Sequence, residues 1–174
     1  MRPLLCAAAI VFSGALAGVF ATGGAASTAT PGDGCLVVSK GFGKVTITLS
    51  RGIIFGRFAS GTLWYSDLNS DTPRLPSVPG DVAFTKTSDH LWKYGPADFL
   101  RFRTSGPTKI IVNATSMDLS VAGKGTGVLW TNGFIQSIAG TFSADATSFC
   151  DDPTSFLKMP VAPTKVQIGS PVSG

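Results

Sequence analysis

The chain contains no glutamate; all ten of its acidic residues are aspartate. Glutamate favours helices whereas aspartate favours turns and caps, so this bias counts against a helical protein. Histidine occurs once, as His90, and cysteine three times, as Cys6, Cys35 and Cys150. So few imidazoles and thiols exclude an ordinary transition-metal centre, and neither a metal nor a cofactor is expected. A G-x-S-x-G nucleophile elbow is missing, and Gly123-Lys124-Gly125-Thr126-Gly127 lacks the ordered spacing of a phosphate-binding loop. A tight hairpin accounts better for those glycines. No segment keeps a helical period for three turns, and beyond the N-terminal stretch no apolar run is long enough to span a bilayer.

What is present begins with Met1-Arg2-Pro3-Leu4-Leu5, followed by small and apolar residues to Ala21. One basic residue, an apolar stretch and small residues suited to cleavage read as a secretory signal peptide over 1–29, with a flexible leader at 30–34. An uncleaved anchor is the alternative. Export makes a disulfide between Cys35 and Cys150 the simplest use of the cysteines that remain, with two free thiols as the competing reading. The bridge would close a loop of about 115 residues, a constraint of ~4–5 kcal/mol in the chain-entropy picture. After cleavage no stable membrane insertion is expected, and the location is extracellular or cell-surface associated.

From Cys35 the apolar residues alternate in short runs. In "GKVTITLS", Val45, Ile47 and Leu49 oppose Lys44, Thr46, Thr48 and Ser50; in "DFLRFRT", Leu100 and Phe102 oppose Arg101 and Arg103. Twenty-one glycines and eleven prolines punctuate these runs. The pattern predicts one all-β domain over 35–156, an antiparallel β-sandwich of about nine or ten short strands, with a small β-barrel as the alternative. The stretch 157–174 reads as a disordered or extended tail, and the proline-rich 68–80 reads as a surface excursion.

Two phrases, "SGTLWYSD" and "TGVLWTNG", place Trp64 and Trp130 in runs apolar on both faces. Such runs belong to central strands covered on each side, and their alignment is either a degenerate repeat or chance. Trp92 is then the tryptophan expected to meet a ligand. His90, Trp92 and Tyr94 alternate onto one strand face and form a candidate aromatic platform, though filling the core edge is the commoner use of such rings. Arg101 and Arg103, with Lys86 and Lys109, make a candidate cationic strip for anionic polymers; a solvated outer face is the plainer account. Asp67-Leu68-Asn69-Ser70-Asp71 begins like a calcium loop but lacks the glycine and twelfth-position glutamate of one. The weak positive charge of an exported chain counts against nucleic acid as a partner.

The strings "GKVTITLSRGIIFGRFASG", "LRFR" and "IIVNATSMDLSVAGKGTGVL" resemble small secreted or membrane-associated β-domain proteins of high-GC Gram-positive bacteria, over roughly 36–142. The resemblance implies an exported β-domain and supplies no catalytic residues. The expected function is non-enzymatic: binding a cell-wall polymer or an extracellular protein at the cell surface. A small extracellular hydrolase using paired aspartates is the alternative.

Overall fold

The computed structural model describes residues 33–68, 83–133, 135–145 and 155–170. It is an all-β, antiparallel structure of eight strands in one continuous sheet. The strands are β1 (Gly34–Asp67), β2 (Phe84–Ser88), β3 (Leu91–Tyr94), β4 (Ala97–Thr104), β5 (Thr108–Trp130), β6 (Thr141–Asp145), β7 (Leu157–Lys158) and β8 (Thr164–Ile168). A short 3-10 turn, Gln136–Ile138, precedes β6. Among the described residues no helix is long and apolar enough to cross a membrane.

The two long strands set the architecture. Residues 34–49 of β1 pair with one side of the 108–123 stretch of β5, and residues 52–67 pair with its other side. Residues 44–49 also pair with 125–130, so each long strand passes through the sheet twice. This pairing folds the sheet over into two layers. The first holds the 43–49 and 61–67 stretches of β1, the 108–113 and 125–130 stretches of β5, and the strands β2, β3 and β8. The second holds the 34–39 and 52–58 stretches of β1, the 117–123 stretch of β5, and the strands β4, β6 and β7. The expected sandwich is therefore present, made from fewer and longer strands than the punctuation implied.

Burial shows how a strand changes layer. The inward residues of β1 run Leu36, Val38, then Gly41 to Leu49 in steps of two, then Ile54 and Phe58, then Leu63 and Tyr65. Between these groups the alternation slips by one residue, so the other alternate set of side chains faces inward after each bend. The bends carry the backbone exceptions: Lys40, Gly43, Gly52 and Gly61 in β1, and Ser116 and Gly123 in β5, all have positive φ. Gly43 and Gly61 flank Ala114 on adjacent strands. A Cβ on Gly61 would stand 2.3 Å from the Asn113 carbonyl oxygen, and one on Gly43 would stand 2.2 Å from that of Trp130. Only glycine lets the backbones come this close at a fold of the sheet.

One core fills the space between the layers. Tyr65 and Phe102, on opposite layers, stack with centroids 5.6 Å apart, and Tyr94 meets Phe102 edge-on at 5.6 Å. Trp92 packs on Tyr65 at 5.7 Å. Burial raises the Tyr65 phenol above its ordinary value and is the main cause of pushing Tyr94 up to about 12. Both tyrosines of the chain are thus expected to ionise above the ordinary tyrosine value in the native protein, and the stability linked to the raised folded pKa, present below that value, is lost as pH rises through the shifted one. Ultraviolet titration checks this: tyrosinate absorbance appearing near pH 10 without loss of structure would contradict the packing.

Several expectations need correction. The stretch from 157 is not a loose tail: β8 pairs with residues 125–129 of β5, and Met159 and Ile168 are fully buried. The end of the leader is likewise ordered, with Gly34 opening β1 and Asp33 bridging Arg51 at 2.8 Å. No hairpin forms at Gly123 to Gly127; β5 bends at Gly123 but continues, because Gly123, Gly125, Thr126 and Gly127 are each paired on both sides. The signal-peptide region, the excursion from 69 to 80 and Cys150 lie outside the described residues.

Candidate functional site

The two layers present different outer surfaces. On the second layer, outward residues form a cross-strand row of Arg101, Phe55, Ser120, Val37 and Ser143, with the pairs Arg57–Asp118 and Ser39–Thr141 beside it. Over them opens a shallow groove of about 300 Å³. Val37 and Leu119 contribute to an apolar lining, with Phe55 and Phe99 beside them at a centroid distance of 6.2 Å. These two neighbouring rings remain 37% and 50% exposed, which leaves them available to a ligand.

Charge is distributed around this apolar strip. The Arg101 guanidinium sits over the Phe55 ring at 5.6 Å, an arrangement that fixes both groups. Arg57 Nε donates to Asp118 Oδ2 at 2.8 Å, while the Lys40 amide donates to Asp118 Oδ1 at 2.8 Å. Partial burial pushes the Asp118 carboxyl up, but the Lys40 amide and Arg57 together outweigh it and hold the group below the ordinary carboxylate range. Asp118 therefore fastens the bend at Lys40, where β1 has a positive φ, to the wall of the groove. Asp98 completes the lining.

This ion pair makes a pH prediction. A depressed folded pKa contributes stability above the ordinary aspartate value and loses it as pH falls through the shifted one. Asp118→Asn is expected to cost about 1 kcal/mol at pH 7, since the pair is partly solvated. The deficit should shrink as pH falls below the ordinary aspartate range and through the depressed value. Urea midpoints of both proteins across a descending pH series measure it, and a deficit independent of pH would contradict the assignment.

The structure divides the residues singled out by the sequence. His90, Trp92 and Tyr94 do not form an accessible platform: Trp92 is 2% and Tyr94 1% exposed, in the core against Tyr65 and Phe102. The alternation was correctly read, but the face they share is the inner one. His90 ends the β2–β3 turn, with its carbonyl accepting the Asp67 amide at 3.2 Å. Arg101 and Arg103 are exposed and outward, as expected. Lys109 lies on the outer face of the first layer instead, so the strip of Arg101, Arg103 and Lys109 is split between two surfaces. Trp64 and Trp130 do sit on the two central strands, yet they point outward and are only half-buried. Among the described residues no cluster of three or more His, Cys or Asp is arranged to hold a metal.

Phe55, Phe99, Arg57 and Asp118 escaped the sequence reading. Their signal was faint: Phe55 lies in "IIFGRF", where apolar residues occupy both phases and a surface ring looks like a core one. Cys35 is 2% exposed, buried near the start of β1. No family model, curated protein or solved structure matches the chain.

Proposed function

We propose that this is an exported, non-enzymatic binding protein that holds a segment of a cell-wall polymer or extracellular protein in the groove of the second layer. The observation that carries the reading is the pair of exposed rings, Phe55 and Phe99, beside Arg101 and the Arg57–Asp118 ion pair. An open apolar strip with fixed polar groups along it fits an extended chain better than a small enclosed substrate. Against the hydrolase alternative stands the use already made of the acids. Asp98 and Asp118 share the groove, but both Asp118 oxygens are engaged, by the Lys40 amide and by Arg57, which commits that carboxylate to the fold.

We also infer that Cys35 pairs with Cys150, as export would allow. Cys35 lies opposite Asp145 in the sheet, which brings the chain shortly before Cys150 alongside it. Non-reducing peptide mapping should recover the Cys35–Cys150 fragment, and any other partner for Cys35 would refute the pairing.

A pull-down on isolated cell-wall material and secreted proteins tests the groove. The double variant Phe55→Ala/Phe99→Ala is expected to lose at least fivefold in retention while keeping the native β-sheet spectrum, because exposed rings contribute little to stability. Undiminished retention by the folded variant would sink the proposal.

A further inference from the structure

The outer face of the first layer carries a charge pattern that the groove does not use. One cross-strand row reads Lys93, Trp64, Ile111, Thr46, Val128 and Lys165 from β3 to β8. Lys109 stands in the row on one side, paired with Ser66 and Thr48, and Lys44 stands in the row on the other side, paired with Asn113 and Trp130. These three rows contain four lysines and no acidic residue. An ordinary solvated sheet face intersperses both signs, so a face of one sign is a departure that attracts anions.

Two of the four lysines are also held in place. Lys93 Nζ lies 5.4 Å from the Trp64 ring centroid and Lys44 Nζ lies 5.3 Å from that of Trp130. Each is the direct cross-strand neighbour of its tryptophan. An ammonium resting on an indole loses less freedom when an anion arrives than a lysine waving in water. Adjacent strands are about 4.8 Å apart, so Lys93 and Lys165, five strand steps apart, are separated by about 24 Å across the sheet. Lys44 and Lys109 fall between them.

We propose that this face docks a linear polyanion with repeated phosphate groups, laid across the strands from Lys93 to Lys165. The makeup of the face favours a soluble polymer over a lipid surface: Trp64 and Trp130 are half-buried under their lysines, and no exposed large apolar side chain projects from these rows to enter a bilayer. Threonines at 46, 48, 62 and 126 supply hydroxyl donors between the cations. The assignment is independent of the groove, which lies on the other layer.

Long-chain polyphosphate is the probe, with binding to the full chain measured by calorimetry at two salt concentrations. Wild type should bind, with affinity falling steeply as salt rises because counterions are released. The variant Lys44→Gln/Lys93→Gln/Lys109→Gln/Lys165→Gln should bind at least tenfold more weakly and with a shallower salt dependence. Lys93→Gln/Lys165→Gln, which leaves the central cations and their packing alone, should lose an intermediate amount. Phe55→Ala/Phe99→Ala should bind polyphosphate as wild type does, which separates failure of this proposal from failure of the groove. Absence of wild-type binding, or equal binding by the double lysine variant, would overturn the assignment. So would binding to phosphatidylglycerol vesicles with none to polyphosphate.

Discussion

Gly61→Ala is expected to destabilise the protein by about 3 kcal/mol or more, the scale of a strained backbone plus a steric clash. A single methyl group has this effect because nothing near it can give way. The added Cβ would meet the Asn113 carbonyl oxygen at 2.3 Å and the Ala114 Cα at 2.6 Å, both main-chain atoms of the paired strand. The φ of +118° is itself a conformation that alanine resists. Gly95→Ala is the control, since a Cβ there meets nothing within 4 Å, and it should fall within about 0.5 kcal/mol of wild type. Denaturant unfolding of the two variants compares them directly. If Gly61→Ala matched Gly95→Ala, the sheet could not bend at that residue.

The second large effect is expected at Phe102→Ala, at about 3–5 kcal/mol. Phe102 is 1% exposed and joins the layers through its rings of contact, stacked on Tyr65 and edge-on to Tyr94. Its removal leaves a cavity lined by rigid aromatic faces, which collapse poorly into the space. The neighbouring Arg103→Ala, on the outward side of the same strand, should change stability by less than about 0.5 kcal/mol. The contrast measures the alternation of β4 in energy, and a Phe102 variant as stable as the Arg103 variant would mean that the strand is turned over. Partial release of the Tyr94 phenol toward its ordinary pKa should accompany the loss, as water reaches the cavity.

That alternation was legible in the sequence because β4 is short and does not bend. Leu100 and Phe102 point in and Arg101 and Arg103 point out, as their spacing required. Val45, Ile47 and Leu49 behave in the same way. The long strands were harder to read for a physical reason. At each fold of the sheet an extra residue reverses the phase, so a reader following period two sees an ending at Arg51-Gly52 or Ser60-Gly61, where the chain only turns its other face inward. Glycine that commonly closes a strand here keeps it going.

The same ambiguity hid the sites. Trp64 and Trp92 both sit in apolar runs, and sequence cannot tell which ring a lysine will cover and which will enter the core. Cross-strand neighbours decide that, and pairing is a long-range property. The C-terminal segment was misread through its prolines at 160 and 163, which interrupt the chain between β7 and β8. Val166 and Ile168, alternating with Lys165 and Gln167, carried the strand signal that was available there.

Because β1 and β5 each belong to both layers, neither layer is a separable part. Opening the first layer means detaching stretches of the two strands from which the second is also made. Native-state hydrogen exchange should therefore give nearly one opening free energy for amides in 44–49 and in 117–123, although they lie on opposite sides of the core. Folding cannot proceed one sheet at a time either: residue 34 must find residue 123, and residue 67 must find residue 108, before either layer has a centre. Such distant pairings make for slow assembly, in milliseconds to seconds, with little to populate on the way.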